Sequence, residues 1–541
     1  MDPISAPTMD PHAPRILFIG TGAQGHAYAE PITRLRLGWV VAVCEPIAWK
    51  RGYFGRRYIW GFDGTAPLPH EEFEDYKDFI EYEKKRQGRV KAGEIQEGDH
   101  EFRGVDAVFV CVLDELHVHV VKALAPLGLH IMCEKPLATS LHDCIDIQQT
   151  LKREWEVLGR QTIFGVGHVL RYSPHNMLLR KLVREDKVVG DVVSVEHTEP
   201  IGWWHMAHSF VRGNWRRQDM TAPSLLTKSC HDIDFLMWLL CSPASEAGDT
   251  PHLPSLISST GSLNQFRKAR KPRAGGSATN CLSCPIESSC LYSAKSIYVP
   301  MLPDPDGREW PLKSVVPDIE DLEALGRDIA AKRLLKVLAE DYTSETPDSE
   351  VKQRSWYGRC VWECDNDVCD DQVVTLTWED DPFSGVNAPG EAKNAASGAT
   401  TGDVGGLNGR GTKTAIFHMI APTEKICERR GRVYGTTGEI TYDSKTISVH
   451  SFATGKSVSY TPGVAGEGHG GGDESMAEKF CQSVQAVNAG QMAVKVAQRH
   501  FLGCDIDEIV RSHLVVFAAE IARKGRVVVD WQRFLEDVAV I

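Results

Sequence analysis

Three glycines stand first among the residues whose spacing suggests chemistry. Gly20, Gly22 and Gly25 fall within the stretch Gly20-Thr-Gly-Ala-Gln-Gly25, directly after the apolar run Arg15 to Ile19. At this spacing the first glycine permits a tight turn, and the second lets the backbone approach a pyrophosphate. The third lets a helix pack closely on the strand before it. The N-terminus of that helix, with Ala23 and Gln24 in its first turn, offers N–H groups and a positive dipole end to phosphates. Glu45 stands twenty residues after Gly25, at the end of the next apolar run. A carboxylate there hydrogen-bonds ribose hydroxyls and repels a 2′-phosphate, which favours NAD, while Lys50 and Arg51 nearby keep NADP open.

Two further residues suit proton and oxyanion chemistry. Lys135 follows the apolar run His130 to Cys133, at the strand end where open α/β sheets place their ligands, and Pro136 fixes the backbone after it. A lysine partly desolvated there donates to a substrate oxygen. Taken alone, beside Glu134, it reads equally as half of a surface ion pair. His231 opens an apolar helix, and imidazole exchanges protons near neutral pH. Asp234, three residues on, shares its face and is placed to orient the ring or bind a hydroxyl. A histidine in this position also serves structure alone. Oxidising a secondary alcohol needs a base and an oxyanion donor of these kinds.

A separate cluster is Cys281-x2-Cys284-x5-Cys290, with Cys360 and Cys364 further on. Three close thiolates plus Cys364, or Cys360, suit a tetrahedral structural zinc that staples a loop. An iron–sulfur cluster fits the same ligand type. Reduced buried thiols, or a redox disulfide, are the plainer alternatives.

The elements that must position these groups alternate strand and helix. Strands are expected at Arg15 to Ile19, Val40 to Cys44, Val105 to Val112, His130 to Cys133 and Thr162 to Val169, with a helix from about His117. This implies an α/β fold whose N-terminal domain is a doubly wound parallel sheet of the Rossmann type. Pro31 is expected to kink or restart the first helix. Beyond about residue 170 strands such as Val192 to His197 and Val373 to Trp378 suggest a second α/β domain on an open, mostly antiparallel sheet. The expected division is a tail over 1–14, a dinucleotide domain over 15–169, and a substrate and oligomerisation domain over 170–541. The last carries a Cys-rich loop at about 275–370, a Gly- and Asn-rich insertion at 380–412, and an apolar-striped helix over Ser512 to Lys524. At 541 residues the chain is long enough for two such cores. A net charge of −13 argues against general nucleic-acid binding. No apolar run of about 18 residues suggests a membrane span. Fifteen cysteines without an export signal suit a reducing cytoplasm.

Taken together, these motifs resemble the Gfo/Idh/MocA family, which contains glucose–fructose oxidoreductase and inositol dehydrogenase. The resemblance rests on the glycine turn and on Glu134-Lys135-Pro136-Leu137-Ala138, supported by Asp114-Glu-Leu-His117, Arg171, Trp215-Arg216 and His231-Asp-Ile-Asp234. It implies an NAD(P)-dependent dehydrogenase acting on a sugar or cyclitol hydroxyl. Lys135 and His231 are then catalytic. Asp114, His117, Glu134, Trp215 and Arg216 lie against the cofactor, and Arg171 and Asp234 lie toward a small carbohydrate. The resemblance departs at Thr227, where an acidic residue is common. Lys228 beside it is a candidate to stabilise the alkoxide, or else to face solvent. A homo-oligomer is expected. A cofactor-binding regulator on the same fold, or an NAD-dependent glycosidase, are the rival readings.

Overall fold

The computed structural model describes residues 10–96, 104–241, 251–304, 308–382, 409–463 and 469–539. Strands β1 (Arg15–Ile19), β2 (Trp39–Cys44), β3 (Glu72–Phe73), β4 (Ala107–Val110), β5 (His130–Cys133) and β6 (Phe164–Val166) form one parallel sheet in the order β3-β2-β1-β4-β5-β6. Apart from Trp39 at the start of β2, their β-branched and aromatic residues are buried on both faces, as a sheet covered on both sides requires. The register sets Ile19 beside Cys44 and Val110, Val110 beside Cys133, and Cys133 beside Val166. The strands therefore end in a row, and Gly20, Glu45, Glu134 and Gly167 follow along one edge.

Asp106, the one charged residue in the third expected strand, has a local reason. Its carboxylate accepts from the Arg15 backbone N–H at 2.8 Å and from Arg15 Nε at 3.0 Å, tying the starts of β1 and β4 together. Helix α1 (Ala23–Arg34) contains Pro31 and runs on past it without a break, so the expected kink is absent. Pro31 lacks a donor, but its carbonyl still accepts the Leu35 N–H at 2.9 Å, so the helix hydrogen bonding resumes within the next turn.

The second sheet comprises β7 (Val192–Gly202), β8 (Leu256–Ser262), β9 (Asp371–Trp378), β12 (Lys413–Thr423), β13 (Arg430–Gly435), β14 (Gly438–Tyr442), β15 (Ile447–Ser451), β16 (Lys456–Tyr460) and β17 (Val529–Asp530). A short pair, β10 (Asp381–Pro382) and β11 (Gly409–Arg410), stands apart as a two-stranded ribbon. The sheet order is β16-β15-β14-β13-β7-β12-β9-β8-β17, antiparallel except where β12 lies parallel to β7. β9 buries every second residue, which puts one face on the core. β9 and β12 pair antiparallel on either side of the Gly- and Asn-rich segment. Residues 383–408 of the expected insertion lie outside the described residues, as do residues 1–9 of the expected tail.

Helix Gly472–Asn488 returns to the first sheet and packs on α1. Phe109 of β4 stacks on Phe18 at 5.0 Å and meets the edge of Phe480 at 5.2 Å, joining the two parts of the chain through one fully buried ring. Phe109→Ala is expected to destabilise the chain by about 3–5 kcal/mol. Urea unfolding measures this, and a cost below about 1 kcal/mol would show that the ring does not carry this junction.

Candidate active site

The glycine turn has the shape that a dinucleotide requires. Gly20 has φ +90°, and a Cβ there would meet the Cys111 carbonyl oxygen at 2.4 Å. A Cβ on Gly25 would come 2.7 Å from the Gly20 carbonyl oxygen, so helix and strand are in contact at this point. Gly22 differs: nothing lies within 4 Å of where its Cβ would stand. It is also the N-cap of α1, with no side-chain cap and no acidic residue in the first turn. Open backbone at an uncapped helix N-terminus fits a pyrophosphate. Gln24 ties the turn to the returning helix, donating from Nε2 to Asp473 Oδ1 at 2.7 Å, and Ala23 is exposed.

Glu45 is buried at the end of β2. Its Oε2 accepts the Thr21 N–H at 3.0 Å and the Thr21 hydroxyl at 3.1 Å, and its Oε1 accepts the Ile47 N–H at 3.0 Å. The carboxylate therefore holds the glycine turn. Arg51 bonds the Glu45 carbonyl at 2.6 Å.

At the end of β5 the chain is held at three successive residues. Glu134 Oε2 accepts the Lys135 N–H at 3.1 Å. His117 Nδ1 stands 2.7 Å from the Pro136 carbonyl oxygen. The Leu137 N–H donates to His513 Nε2 at 2.9 Å, while His513 Nδ1 bonds the Ile509 carbonyl at 2.9 Å. Burial, with His168 beside it, pushes the His513 pKa down to about 3, so the ring is neutral and its Nε2 is an acceptor. The Lys135–Pro136 peptide bond is cis.

So held, Lys135 donates from Nζ to the Thr227 carbonyl at 3.0 Å and lies 5.0 Å from the centre of the Trp215 ring. Trp215 Nε1 in turn donates to Asp114 Oδ2 at 2.9 Å. Burial pushes the Asp114 pKa up to about 6, with Lys135 opposing the rise. Thr227 ends the short turn Ser224–Thr227, just before the helix Cys230–Leu240 that carries His231. The structure thus brings the Lys135 ammonium to the head of the His231 helix, where Asp114 and Trp215 join it. His231 is buried, and its ring lies 6.3 Å from that of His168.

Several expected roles change. His117 has both ring nitrogens against backbone carbonyls, Nε2 being 3.3 Å from the Val112 oxygen. It positions the Lys135 segment. Glu134 is likewise a positioning group, since the Tyr28 hydroxyl donates to its Oε1 and Gly167 leaves room for it. Arg216 is 1% exposed and bonds Asp365 Oδ1 at 2.7 Å and the Val351 carbonyl at 2.6 Å, so its guanidinium is engaged inside the protein.

Asp234 is engaged by several other groups. Its two oxygens take Arg171 Nε and NH2 at 2.7 Å each, with Ser512 Oγ at 2.7 Å and His168 Nδ1 at 3.1 Å. Against the cost of burial, Arg171 and then His168 hold the Asp234 carboxyl well below the usual carboxylate range. Arg171 and Asp234 therefore neutralise each other inside the protein. Lys228 is also turned inward, with Nζ 3.1 Å from Glu199 Oε1 and 2.9 Å from Cys427 Sγ. Its charge is met by Glu199.

The zinc expectation is not met. Among the described residues no three His, Cys, Asp or Glu side chains gather closely enough to hold one metal ion. Cys364 points its sulfur at the Cys360 carbonyl, 3.4 Å away.

Sequence reasoning missed His513, Tyr28 and the Thr227 carbonyl as partners of the Lys135 segment. His513 and Tyr28 sit among apolar residues of helices, a polar signal that registers only after the helices are docked.

Comparison with known proteins follows this geometry. Residues 68–161 match a family model described as an oxidoreductase family with an NAD-binding Rossmann fold. The chain is 29% identical over 153 residues to 2,7-anhydro-N-acetylneuraminate hydratase from Escherichia coli, covering 28% of this chain and 36% of that protein. It is 28% identical over 151 residues to inositol 2-dehydrogenase 2 from Saccharopolyspora erythraea, covering 28% and 39%. It thus spans little more than a third of these relatives' own length. An inositol dehydrogenase homologue from Azotobacter vinelandii, solved with NAD+, superposes with a TM-score of 0.56 at 13% identity, covering 96% of this chain and 97% of that one. This shows that the two-domain fold is shared.

Two outcomes test the site's electrostatics. Arg171→Ala leaves the Asp234 charge buried without its main partner and is expected to cost about 3–5 kcal/mol in urea unfolding. Burial pushes the Glu134 pKa up from 4.5 to about 7. In that window the folded chain keeps a proton that the unfolded chain has lost, so stability falls as pH rises. Glu134→Gln is expected to remove this slope, at most about 1.4 kcal/mol per pH unit, in unfolding curves recorded across the same pH range.

Proposed function

We propose, from the premise that residues 68–161 carry the Rossmann segment of the Gfo/Idh/MocA oxidoreductase family, that this chain is an NAD(P)-dependent oxidoreductase acting on a CH–OH group of a sugar or cyclitol. One observation carries the reading. The Lys135 ammonium is fixed at the carboxyl edge of the parallel sheet, on the same edge as the open turn at Gly22. The glycine turn with Ala23 and Gln24 would hold the pyrophosphate, and Glu45 the ribose. Bound there, the nicotinamide supplies the hydride acceptor.

Lysine has three N–H donors, and the Thr227 carbonyl takes one. A substrate hydroxyl oxygen can accept from another, which lowers the cost of the charge that develops as its proton leaves. His231 is the group to take that proton. Asp114, with its carboxyl near pKa 6, is a second proton carrier on the Lys135 side. The Trp215 ring excludes water from one side of the ammonium and holds it by a cation–π contact. Neither step depends on an acid at position 227. We expect the enzyme to self-associate, as the resemblance implies. Among the described residues no helix is long and apolar enough to cross a membrane.

A second reading keeps the site and removes the net redox change. It rests on the relative named as a hydratase, 29% identical over 153 residues.

The test is reduced-nicotinamide absorbance with NAD+ or NADP+ across a panel of sugars and cyclitols. Net reduction with at least one polyol supports a dehydrogenase, and product formation without net reduction supports the second reading. Lys135→Ala is expected to lower kcat/KM on the order of 100- to 10,000-fold while NAD affinity stays within a few-fold. Unchanged turnover in that variant removes Lys135 from the chemistry.

A further inference from the structure

In the second domain an amine and a thiol are held in direct contact. Lys228 Nζ lies 2.9 Å from Cys427 Sγ, although the two residues are 199 positions apart in the chain. Lys228 follows the turn that ends at Thr227, and Cys427 lies in the segment between β12 and β13. Cys427 is a free thiol and half-buried, so it is open to a small dissolved molecule. Its backbone has φ +57°, in the left-handed region that a residue with a Cβ adopts only at a cost. Two hydrogen bonds hold it there. The Cys427 N–H donates to the Pro200 carbonyl at 3.1 Å, and the Cys427 carbonyl accepts the Arg429 N–H at 3.0 Å.

The pair belongs to a cluster whose charges balance. Glu199 of β7 is 0% exposed, with Oε1 3.1 Å from Lys228 Nζ and Oε2 3.1 Å from Arg429 Nε. Arg429 Nε is also 2.6 Å from Asp232 Oδ1, and His197 Nε2 lies 3.0 Å from the same oxygen. Two cations thus face two carboxylates. Loss of either cation leaves a buried carboxylate unmet unless that carboxylate gains a proton. The Cys427 sulfur has no part in this balance. A neutral thiol is a weak acceptor, so the ammonium gains little from a sulfur at this distance.

We propose that Lys228 and Cys427 are the site of an oxidative cross-link in which one oxygen atom joins Nζ to Sγ. The oxidant is dioxygen. The lysine ammonium, the cysteine thiol and one dioxygen give the N–O–S bridge, one water and one proton. An N–O bond and an S–O bond form, while two N–H bonds, the S–H bond and the O–O bond break. Nitrogen and sulfur give up two electrons each, and these are the four that dioxygen takes. The released proton goes to Glu199, whose oxygen already lies against the amine, so the buried cluster stays balanced. A thiol oxidises first to a sulfenic acid, and a nitrogen beside that sulfur can trap it. The separation suits an interposed atom. An oxygen between Nζ and Sγ needs a small closing movement, whereas a direct N–S bond needs a much larger one, away from the ionic contact with Glu199.

The bridge ties the segment before β13 to the residue that follows Thr227, whose carbonyl holds Lys135. It also removes one ammonium three residues before His231. On the oxidoreductase reading above, oxidation therefore alters the head of the helix that carries His231, and a thiol reductant restores it. That consequence rests on the reading; the bridge itself does not.

The test is peptide mapping of the full chain by high-resolution mass spectrometry. One portion is held in air-saturated buffer, a second without oxygen, and a third is taken from air and treated with dithiothreitol. The expected result in air is a joined pair of peptides carrying Lys228 and Cys427. Its mass exceeds the sum of the separate peptides by one oxygen less two hydrogens, and trypsin no longer cuts after Lys228. The pair is absent without oxygen and lost on dithiothreitol. Lys228→Arg keeps the cation but lacks the amine, Cys427→Ser lacks the sulfur, and neither is expected to form it. An unmodified Lys228 in air, with Cys427 a thiol, an oxidised acid or a disulfide, overturns the proposal. So does a joined pair without the added oxygen. Should either variant fail to fold, the wild-type peptides decide the matter alone.

Discussion

The site depends on the fixing of one short segment at the end of β5. A lysine tip moves through several ångströms unless its backbone is held, and catalysis tolerates little of that. Here consecutive backbone groups of Lys135, Pro136 and Leu137 are met by Glu134, His117 and His513. Those partners come from β5, from the helix after β4, and from the helix Ile506–Gly525 near the end of the chain. The lysine is thus positioned by both halves of the molecule at once. The helix Ile506–Gly525 contributes to the site through His513, which accepts the Leu137 N–H.

The helix Cys230–Leu240 imposes the second constraint. Every residue in it is buried, including Asp232 and Asp234. Each buried carboxylate must be matched by a cation or pay a large desolvation cost. Asp234 takes Arg171, and Asp232 takes Arg429 and His197. Glu199, buried beside them, takes Lys228 and also Arg429. These pairings consume charged residues that, by type alone, look suited to binding sugar. Lys135 and Asp114 meet at the open edge, where Lys135 reaches the head of the helix with His231.

Much of this architecture was legible in the sequence. β1 and β5 fall where apolar runs end in a glycine turn and in Glu134-Lys135-Pro136, because a buried parallel strand needs an unbroken apolar stretch. The three glycine roles also follow from sequence, since each reflects backbone geometry that any side chain would obstruct. The direction of long polar side chains was not legible. Arg216, Lys228 and Arg171 sit beside site residues in the chain, yet their partners Asp365, Glu199 and Asp234 lie on other elements. Pro31 was misjudged because the loss of one donor on a helix packed by its neighbours is a small local cost. The cysteines were recognisable as a group, but which of Cys360 and Cys364 faces the others depends on a turn of only four residues.

The most direct test of the account is isotope transfer. The full chain is incubated with NAD+ and a polyol substrate deuterated at its carbinol carbon, and the reduced nicotinamide is examined by mass spectrometry. The account predicts that the label arrives at C4 of the nicotinamide in wild-type protein. Bound NAD+ with the label left on every polyol offered, or reduced cofactor that carries none, would contradict it.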